Sequence, residues 1–537
     1  MNSEAEEIVK TLKEADVDVV FGIPSIHNIR LYEALRKEPA IKHILCRQET
    51  TGTMMADGYA RAGHRLGVMI SSTGPGSGYA VPALQEAWGS CSPVLLITTN
   101  IPAKKIGKGL GTLHELDDQD ALFRKITKAA ISIRPGDDIR AMTRKAINVA
   151  LSERPGPVYL EVPTDLLDKP ISKVSGGETE EADQLKTFSG IEKALTLLRH
   201  AKQPIILAGT DAVRAGIHED IRILAEALGA PVITTANAKG IIAEDHPLVM
   251  GNAARRGVVR EIVQSCDVAL AIGTRLREVD AKRRGLLLPQ LIHVDWDGRW
   301  VGKNFPTEVA LMGDIPSMVK VLLNKLEPGS SVERRLMWIE EMKKRIEQEV
   351  SEIRQDHLEV RYLDVIRKKL PRESTLVIDN TQLGYWAEYF YPSYCPDGLM
   401  AAKGSSIIGF AFAAAIGAKI ACPEKPILAL IGDGGFLYST QELATCIRYK
   451  VGFPVIVVND NAYGIIAYLQ RSAFEKEYES RLNNPDMVAL ARAYGAQAAR
   501  VESLTGLEES LEKAFASDEL WVIELAGSFP EPPFGRY

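Results

Sequence analysis

The chain has 537 residues, of which 46% are hydrophobic and 25% charged, with 64 basic and 70 acidic side chains and a net charge of −6. That is the composition of an ordinary globular protein, long enough for about three to four domains. No basic block points to nucleic acid or an anionic membrane, and no apolar run reaches the ~18 residues of a membrane span.

The amino terminus, MNSEAEEIVKTLKEADVDVVFG, is acidic and amphipathic, unlike a signal or transit peptide. Six cysteines (Cys46, Cys91, Cys266, Cys395, Cys422 and Cys446) are scattered without a CxxC pair and read as reduced core thiols of a cytoplasmic protein. Short apolar runs at 19–21, 41–46, 66–71, 93–98 and 158–162 alternate with helical patterns, which predicts a parallel sheet covered by helices on both faces. Arg47-Gln48-Glu49 follows the second run and precedes a helical stretch at 50–61; Ser72 and the turn Thr73-Gly74-Pro75-Gly76-Ser77-Gly78 follow the third. A polar, glycine-containing stretch at 172–183 reads as a linker. Runs at 205–208, 232–234, 268–272 and 291–294 predict a second α/β unit, and 326–355 a charged connecting helix. A third unit runs from 361 to about 525, before a tail rich in proline and glycine. The reading is α/β throughout: three doubly wound parallel-sheet domains, at 1–170, 188–325 and 356–530. The first and third could be structural relatives.

The third unit holds the most informative stretch, 426–464. Two buried-strand patterns, 427–431 and 455–458, flank an amphipathic segment, 439–450, long enough for a crossover helix. The first strand ends in Gly432-Asp433-Gly434-Gly435 and the second in Asn459-Asp460-Asn461, with Asp460 27 positions after Asp433. In an open parallel sheet ligands bind at that carboxyl edge. Glycines let backbone approach an anion, and carboxylates suit Mg²⁺ shared with phosphate oxygens. Either half alone reads as a tight turn; the pair on consecutive strands reads as a site.

Gly432-Asp433-Gly434, a 24-residue gap and Asn459-Asp460 resemble the thiamine diphosphate (ThDP) binding motif, with aspartate where many members carry a second asparagine. The resemblance implies Mg²⁺ ligands in Asp433, Asp460 and the carbonyl of Ala462. It also implies cofactor contacts at Gly432, Gly434 and Asn461, and diphosphate contacts from Thr381 and Gln382, just after a predicted strand at 375–379, and from the backbone around Gly435-Phe436 and Tyr463-Gly464-Ile465. Ile408, within Gly404-Ser405-Ser406-Ile407-Ile408-Gly409-Phe410, matches the apolar wedge under the bent cofactor; by residue type alone it is equally a core isoleucine. Glu49, in Arg47-Gln48-Glu49-Thr50-Thr51-Gly52, matches the glutamate that bonds N1′ of the aminopyrimidine. Taken alone it would read as a carboxylate placed against a helix dipole. Ser72 either caps its glycine turn or faces the substrate. That turn is not a dinucleotide fingerprint, since Tyr79 stands where GxGxxG asks for glycine.

Almost the whole chain resembles the acetolactate synthase group, which implies decarboxylation of a 2-oxo acid and transfer of the remaining fragment to an acceptor carbonyl. Leu113-His114-Glu115 replaces that group's Phe-Gln-Glu run and is more like decarboxylases of larger 2-oxo acids, such as guanidino-oxopentanoate decarboxylase. His114 becomes the candidate for proton transfer near the substrate. Leu469 stands where the synthases carry an acceptor-selecting tryptophan. Ile466 stands where pyruvate decarboxylases carry a protonating glutamate, which favours a second carbonyl as acceptor. The alternatives are a decarboxylase releasing an aldehyde and an inactive cofactor-binding relative. FAD, a passenger in several synthases, has no motif here and is left open. Family architecture further implies a homodimer or dimer of dimers, with Glu49 serving the neighbouring subunit's cofactor.

Overall fold

The computed structural model describes residues 3–170, 189–278, 285–326 and 332–530. Within them, eighteen strands form three six-stranded sheets in which every pairing is parallel. The first contains β1 (Val19–Gly22), β2 (Lys42–Leu45), β3 (Gly67–Ser71), β4 (Val94–Asn100), β5 (Ala129–Ser132) and β6 (Val158–Pro163), in the order 2-1-3-4-6-5. The central sheet contains β7 (Pro204–Ala208), β8 (Val232–Thr234), β9 (Val249–Asn252), β10 (Val268–Ile272), β11 (Leu291–Asp295) and β12 (Val309–Met312), ordered 12-11-10-7-8-9. The third contains β13 (Thr375–Ile378), β14 (Leu399–Ala401), β15 (Ile427–Gly432), β16 (Pro454–Asn459), β17 (Gln497–Val501) and β18 (Trp521–Ala526), ordered 14-13-15-16-18-17. Counted within each unit, the first and third orders are identical, a kinship that the residues alone left open.

Strands buried on both faces lose the two-residue alternation and read as continuous apolar runs; β3, β4, β7, β10 and β16 are buried along their whole length. Six strands lie outside the predicted set. Five of them, β5, β9, β12, β14 and β17, are sheet edges, where one side of the ladder is unpaired and runs are short or mixed with polar residues. The sixth, β18, is interior but interrupted by Glu524, whose carboxylate accepts from Asn459 (2.8 Å) and Arg500 (2.8 Å).

Two element boundaries differ from expectation. The crossover expected at 439–450 starts at Asp433, directly after β15, as helix Asp433–Ser439, a 3₁₀ turn Thr440–Glu442 and helix Leu443–Tyr449. Gly432 is extended, and an acidic residue in a first turn is favourable against the helix dipole. The connecting helix is Val332–Asp356. The expected linker at 172–183 and the end of the tail lie outside the described residues.

The first and third units share one apolar core, which includes Met55, Tyr59, Phe410, Phe412 and Phe436. Helix Glu49–Gly63 crosses helix Phe410–Ala421 so closely that a Cβ on Gly58 would lie 2.0 Å from the Ala414 carbonyl oxygen. Glycine is the residue that permits such an approach. Among the described residues, no helix is long and apolar enough to cross a membrane.

Candidate active site

The carboxyl ends of β13, β15 and β16 open onto a cavity of about 270 Å³. Thr381, Gln382, Ile408, Gly432, Asp433, Gly434, Gly435, Asp460, Ala462, Tyr463, Gly464 and Ile465 line it, joined by Asp379, Ser406 and Ile466. Two residues expected to hold the cofactor from the third unit lie off this wall. Phe436 is buried against Phe412, with ring centroids 5.7 Å apart, which leaves its backbone as the usable part. Asn461 is exposed in a left-handed conformation, its carbonyl accepting from Leu482 N (2.7 Å).

Asp433 is oriented by its neighbours. Its Oδ2 accepts from the Asn484 side chain (2.6 Å) and from Ala462 N (3.2 Å), and its Oδ1 from Gly434 N (2.9 Å). Asn484 also donates to Asn459 Oδ1 (3.1 Å), tying the ends of β15 and β16 together. Asp460 Oδ2 accepts from Gln382 Nε2 (3.3 Å). Burial first, and then the charge of Asp433, push the Asp460 pKa up to about 6; burial also raises that of Asp433.

Buried Asp433 and partly buried Asp460, which repel one another, with Ala462 alongside, form a donor set that a hard divalent cation relieves. Among the described residues no cluster of three or more histidine, cysteine, aspartate or glutamate side chains could hold a metal. The set therefore suits Mg²⁺, which keeps waters and phosphate oxygens in its octahedron, better than a metal caged by protein alone. The space for a phosphate-bearing ligand is made by missing side chains: a Cβ on Gly464 would lie 2.6 Å from Asp460 Oδ2, and one on Gly432 3.0 Å from Thr381 Oγ1. The residues fit ThDP with magnesium.

Glu49, Ser72 and His114 are not on this wall. They gather at the carboxyl edge of the first sheet. Glu49 opens helix Glu49–Gly63, and burial raises its pKa. A Cβ on Gly76 would meet Ser72 Cβ at 2.8 Å, Ser71 Oγ at 3.1 Å and Glu49 Oε1 at 3.2 Å, so the glycine turn lies against the glutamate. Ser72 is buried and accepts from Ser25 Oγ (2.8 Å). His114 has a left-handed backbone (φ 62°), and its ring lies 4.8 Å from that of His27.

His27, Asn484 and Asp379 belong to the site and were missed in the sequence. Burial, and next the proximity of His114, lower the His27 pKa, so the ring is neutral at pH 7. The Nδ1 atoms of both histidines and Ser71 Oγ are buried without a hydrogen-bond partner among the described residues, an orphaned polar group fit for a substrate. Asp379 is buried with a pKa pushed up to about 6 by desolvation, and it accepts from Gly409 N (2.8 Å) beside Ile408. None of the three lies in a motif; only Asp379, a carboxylate directly after β13, offered a local signal. A second cavity, about 180 Å³, opens at the edge of the central sheet, with Asp211, Asn237, Thr274 and Arg275 in its walls; Ser406 borders both cavities.

Comparison with known proteins agrees along the chain. Family models for the thiamine pyrophosphate enzymes match in three segments: the N-terminal TPP binding domain at residues 3–122, the central domain at 191–322 and the C-terminal TPP binding domain at 379–525. A probable 2-ketoarginine decarboxylase of Pseudomonas aeruginosa is 32% identical, over 97% of this chain and 93% of its own. A probable acetolactate synthase large subunit of Methanocaldococcus jannaschii is also 32% identical, over 99% of this chain and 94% of its own. The acetolactate synthase large subunit of Lactococcus lactis is 27% identical, over 97% and 92%. With nearly its full length matched by such relatives, the chain belongs to the thiamine pyrophosphate enzyme family, as an acetolactate synthase-like 2-oxo acid decarboxylase or carboligase.

Proposed function

We propose that the protein is a ThDP- and Mg²⁺-dependent carboligase, which decarboxylates a 2-oxo acid and passes the remaining fragment to an acceptor carbonyl. The observation that carries this is the Asp433–Asp460 cavity with Ile465 and Ile466 on its wall. Bound ThDP would supply the electron sink for decarboxylation. Asp433, Asp460 and the Ala462 carbonyl would hold the metal, while Thr381, Gln382 and the backbone at Gly434–Phe436 and 463–465 would receive the diphosphate. Ile408, on the cavity wall, would support the cofactor's rings. Glu49 holds a proton at N1′ of the aminopyrimidine, a task suited to a carboxyl whose pKa burial has raised. Ile466, half exposed at the cleft, has no proton to donate, which favours a second carbonyl as the acceptor.

Glu49 lies apart from the cavity of its own chain, which supports a homodimer or dimer of dimers in which it serves the neighbouring copy. Apolar side chains stand exposed on both prospective faces: Ile26, Ile29, Tyr79 and Leu113 on the first unit, Tyr438 and Phe474 on the third. The three units are taken as 1–170, 188–325 and 356–530, and the six unpaired cysteines among the described residues support a cytoplasmic location.

A specific observation favours a second reading, decarboxylation of a larger 2-oxo acid to an aldehyde. The His27 and His114 rings meet at the sheet edge that also carries Glu49, and one relative is named for 2-ketoarginine. A panel of 2-oxo acids, with and without aldehyde acceptors, separates the two. Coupled products identify the carboligase; CO₂ with stoichiometric aldehyde in the presence of every acceptor identifies the decarboxylase. No CO₂ from any acid overturns both.

A further inference from the structure

Resting on that cofactor reading, we propose that Glu86 of the first unit is the positioning residue that aims Ile408 into the cofactor cavity. Glu86 lies in helix Val81–Gly89 and is fully buried, yet its carboxylate is spent on the third unit. Oε2 accepts from Ser405 N (2.6 Å), Ser406 N (3.1 Å) and Ser405 Oγ (3.3 Å); Oε1 accepts from Gly404 N (2.8 Å), Ser90 Oγ (2.8 Å) and Arg61 (3.2 Å). Three successive amides thus converge on one carboxylate, two residues before Ile408. The helix presses on the turn itself: a Cβ on Gly404 would lie 2.1 Å from the Glu86 carbonyl oxygen. At the far side of Ile408, Gly409 N donates to Asp379. Ile408 sits between two anchored ends.

Burying a carboxylate carries a desolvation penalty that its partners must offset, and an apolar side chain of similar volume fills the space without it. Burial alone raises the Glu86 pKa; Arg61 and the amides of Ser405 and Gly404 outweigh it and hold the group ionised. Arg61 is itself locked by Asp57 (2.6 and 2.8 Å) and donates to the Ala401 carbonyl (3.1 Å). What the charge adds beyond packing is direction, because it fixes which way three peptide planes face. A support under a bent ligand must be held to within about 0.5 Å. Ser406, left-handed at φ 61°, shows a turn held in one conformation by its surroundings.

Glu86→Gln and Glu86→Asp test this, the second keeping a charge opposite Arg61 so that the fold survives if the first variant does not. In the cofactor-free protein, amide hydrogen exchange at 404–406 should quicken by about tenfold or more. Calorimetric affinity for ThDP with Mg²⁺ should stay within about threefold, because the diphosphate end is held elsewhere. Exchange of the bound cofactor's C2 proton should slow by about tenfold or more, and Glu86→Asp added to Ile408→Ala should slow it no further. Wild-type C2 exchange in both Glu86 variants, or additive effects with Ile408→Ala, overturns the proposal alone. A wild-type protein that binds no ThDP overturns the cofactor reading and the proposal with it.

Discussion

Replacing Gly464 with alanine adds one methyl group to the wall of the Asp433–Asp460 cavity. Gly464 is the first residue of helix Gly464–Phe474, and its φ lies outside the left-handed region. Alanine therefore fits the backbone, and helix propensity favours it by up to about 1 kcal/mol. The new Cβ would lie 2.6 Å from Asp460 Oδ2 and 2.7 Å from Gln382 Nε2. Both are ends of side chains, so they retreat at little cost to the fold, by about 0.8 Å to regain ordinary contact. A magnesium octahedron at 2.0–2.1 Å tolerates only about 0.2 Å of that. Stability and binding should then move in opposite directions. Scanning calorimetry of the cofactor-free protein should give an unchanged or slightly higher Tm. Titration with ThDP in Mg²⁺ should give a Kd at least about tenfold weaker, or ~1.4 kcal/mol. A Kd within about threefold of wild type, or a clear loss of Tm, would refute the placing of Asp460 at the metal.

Further outcomes follow from the same geometry. Glu49→Gln should keep near-ultraviolet circular dichroism and magnesium-dependent ThDP binding while slowing C2-proton exchange by about 10²-fold or more, since glutamine cannot carry the proton; exchange at the wild-type rate contradicts the role. His43 is held neutral, its pKa lowered to about 4, chiefly by burial and then by Arg448. Its stabilising contribution is full above pH 6.5 and drains as pH falls towards 4, by about 3 kcal/mol at the limit. Unfolding midpoints of His43→Gln should therefore fall less steeply over that window than those of wild type, and parallel curves would remove His43 from the account. Gly58→Ala drives a methyl into the Ala414 carbonyl and should cost about 1–3 kcal/mol in urea unfolding, beyond what helix propensity returns. An unchanged midpoint would mean that the two helices are free to separate.

The α/β class and the two strands that frame the site were legible because buried parallel strands have no polar face to dilute their pattern. Asp433 and Asp460 stood out as carboxylates closing such strands. Five of the six edge strands escaped because their residues answer to solvent on one side, as in β17, where buried and exposed positions mix. The crossover was misplaced because glycines after Asp433 look like a turn, although the helix begins there. Asn484 and Glu86 were illegible for a different reason. Each acts across the fold, on Asp433 at 51 positions and on Ser405 at 319, and nothing adjacent in the chain marks the partner. His27 acquires meaning only when its ring meets His114.

The central claim is that Asp433 and Asp460 tether a diphosphate through a divalent cation. Calorimetric titration of the cofactor-free protein with ThDP, in Mg²⁺ and then in EDTA, tests it most directly, with Asp433→Asn in parallel. The account predicts binding in Mg²⁺ that weakens at least about tenfold in EDTA and in the variant. Equal affinity under all three conditions would contradict it.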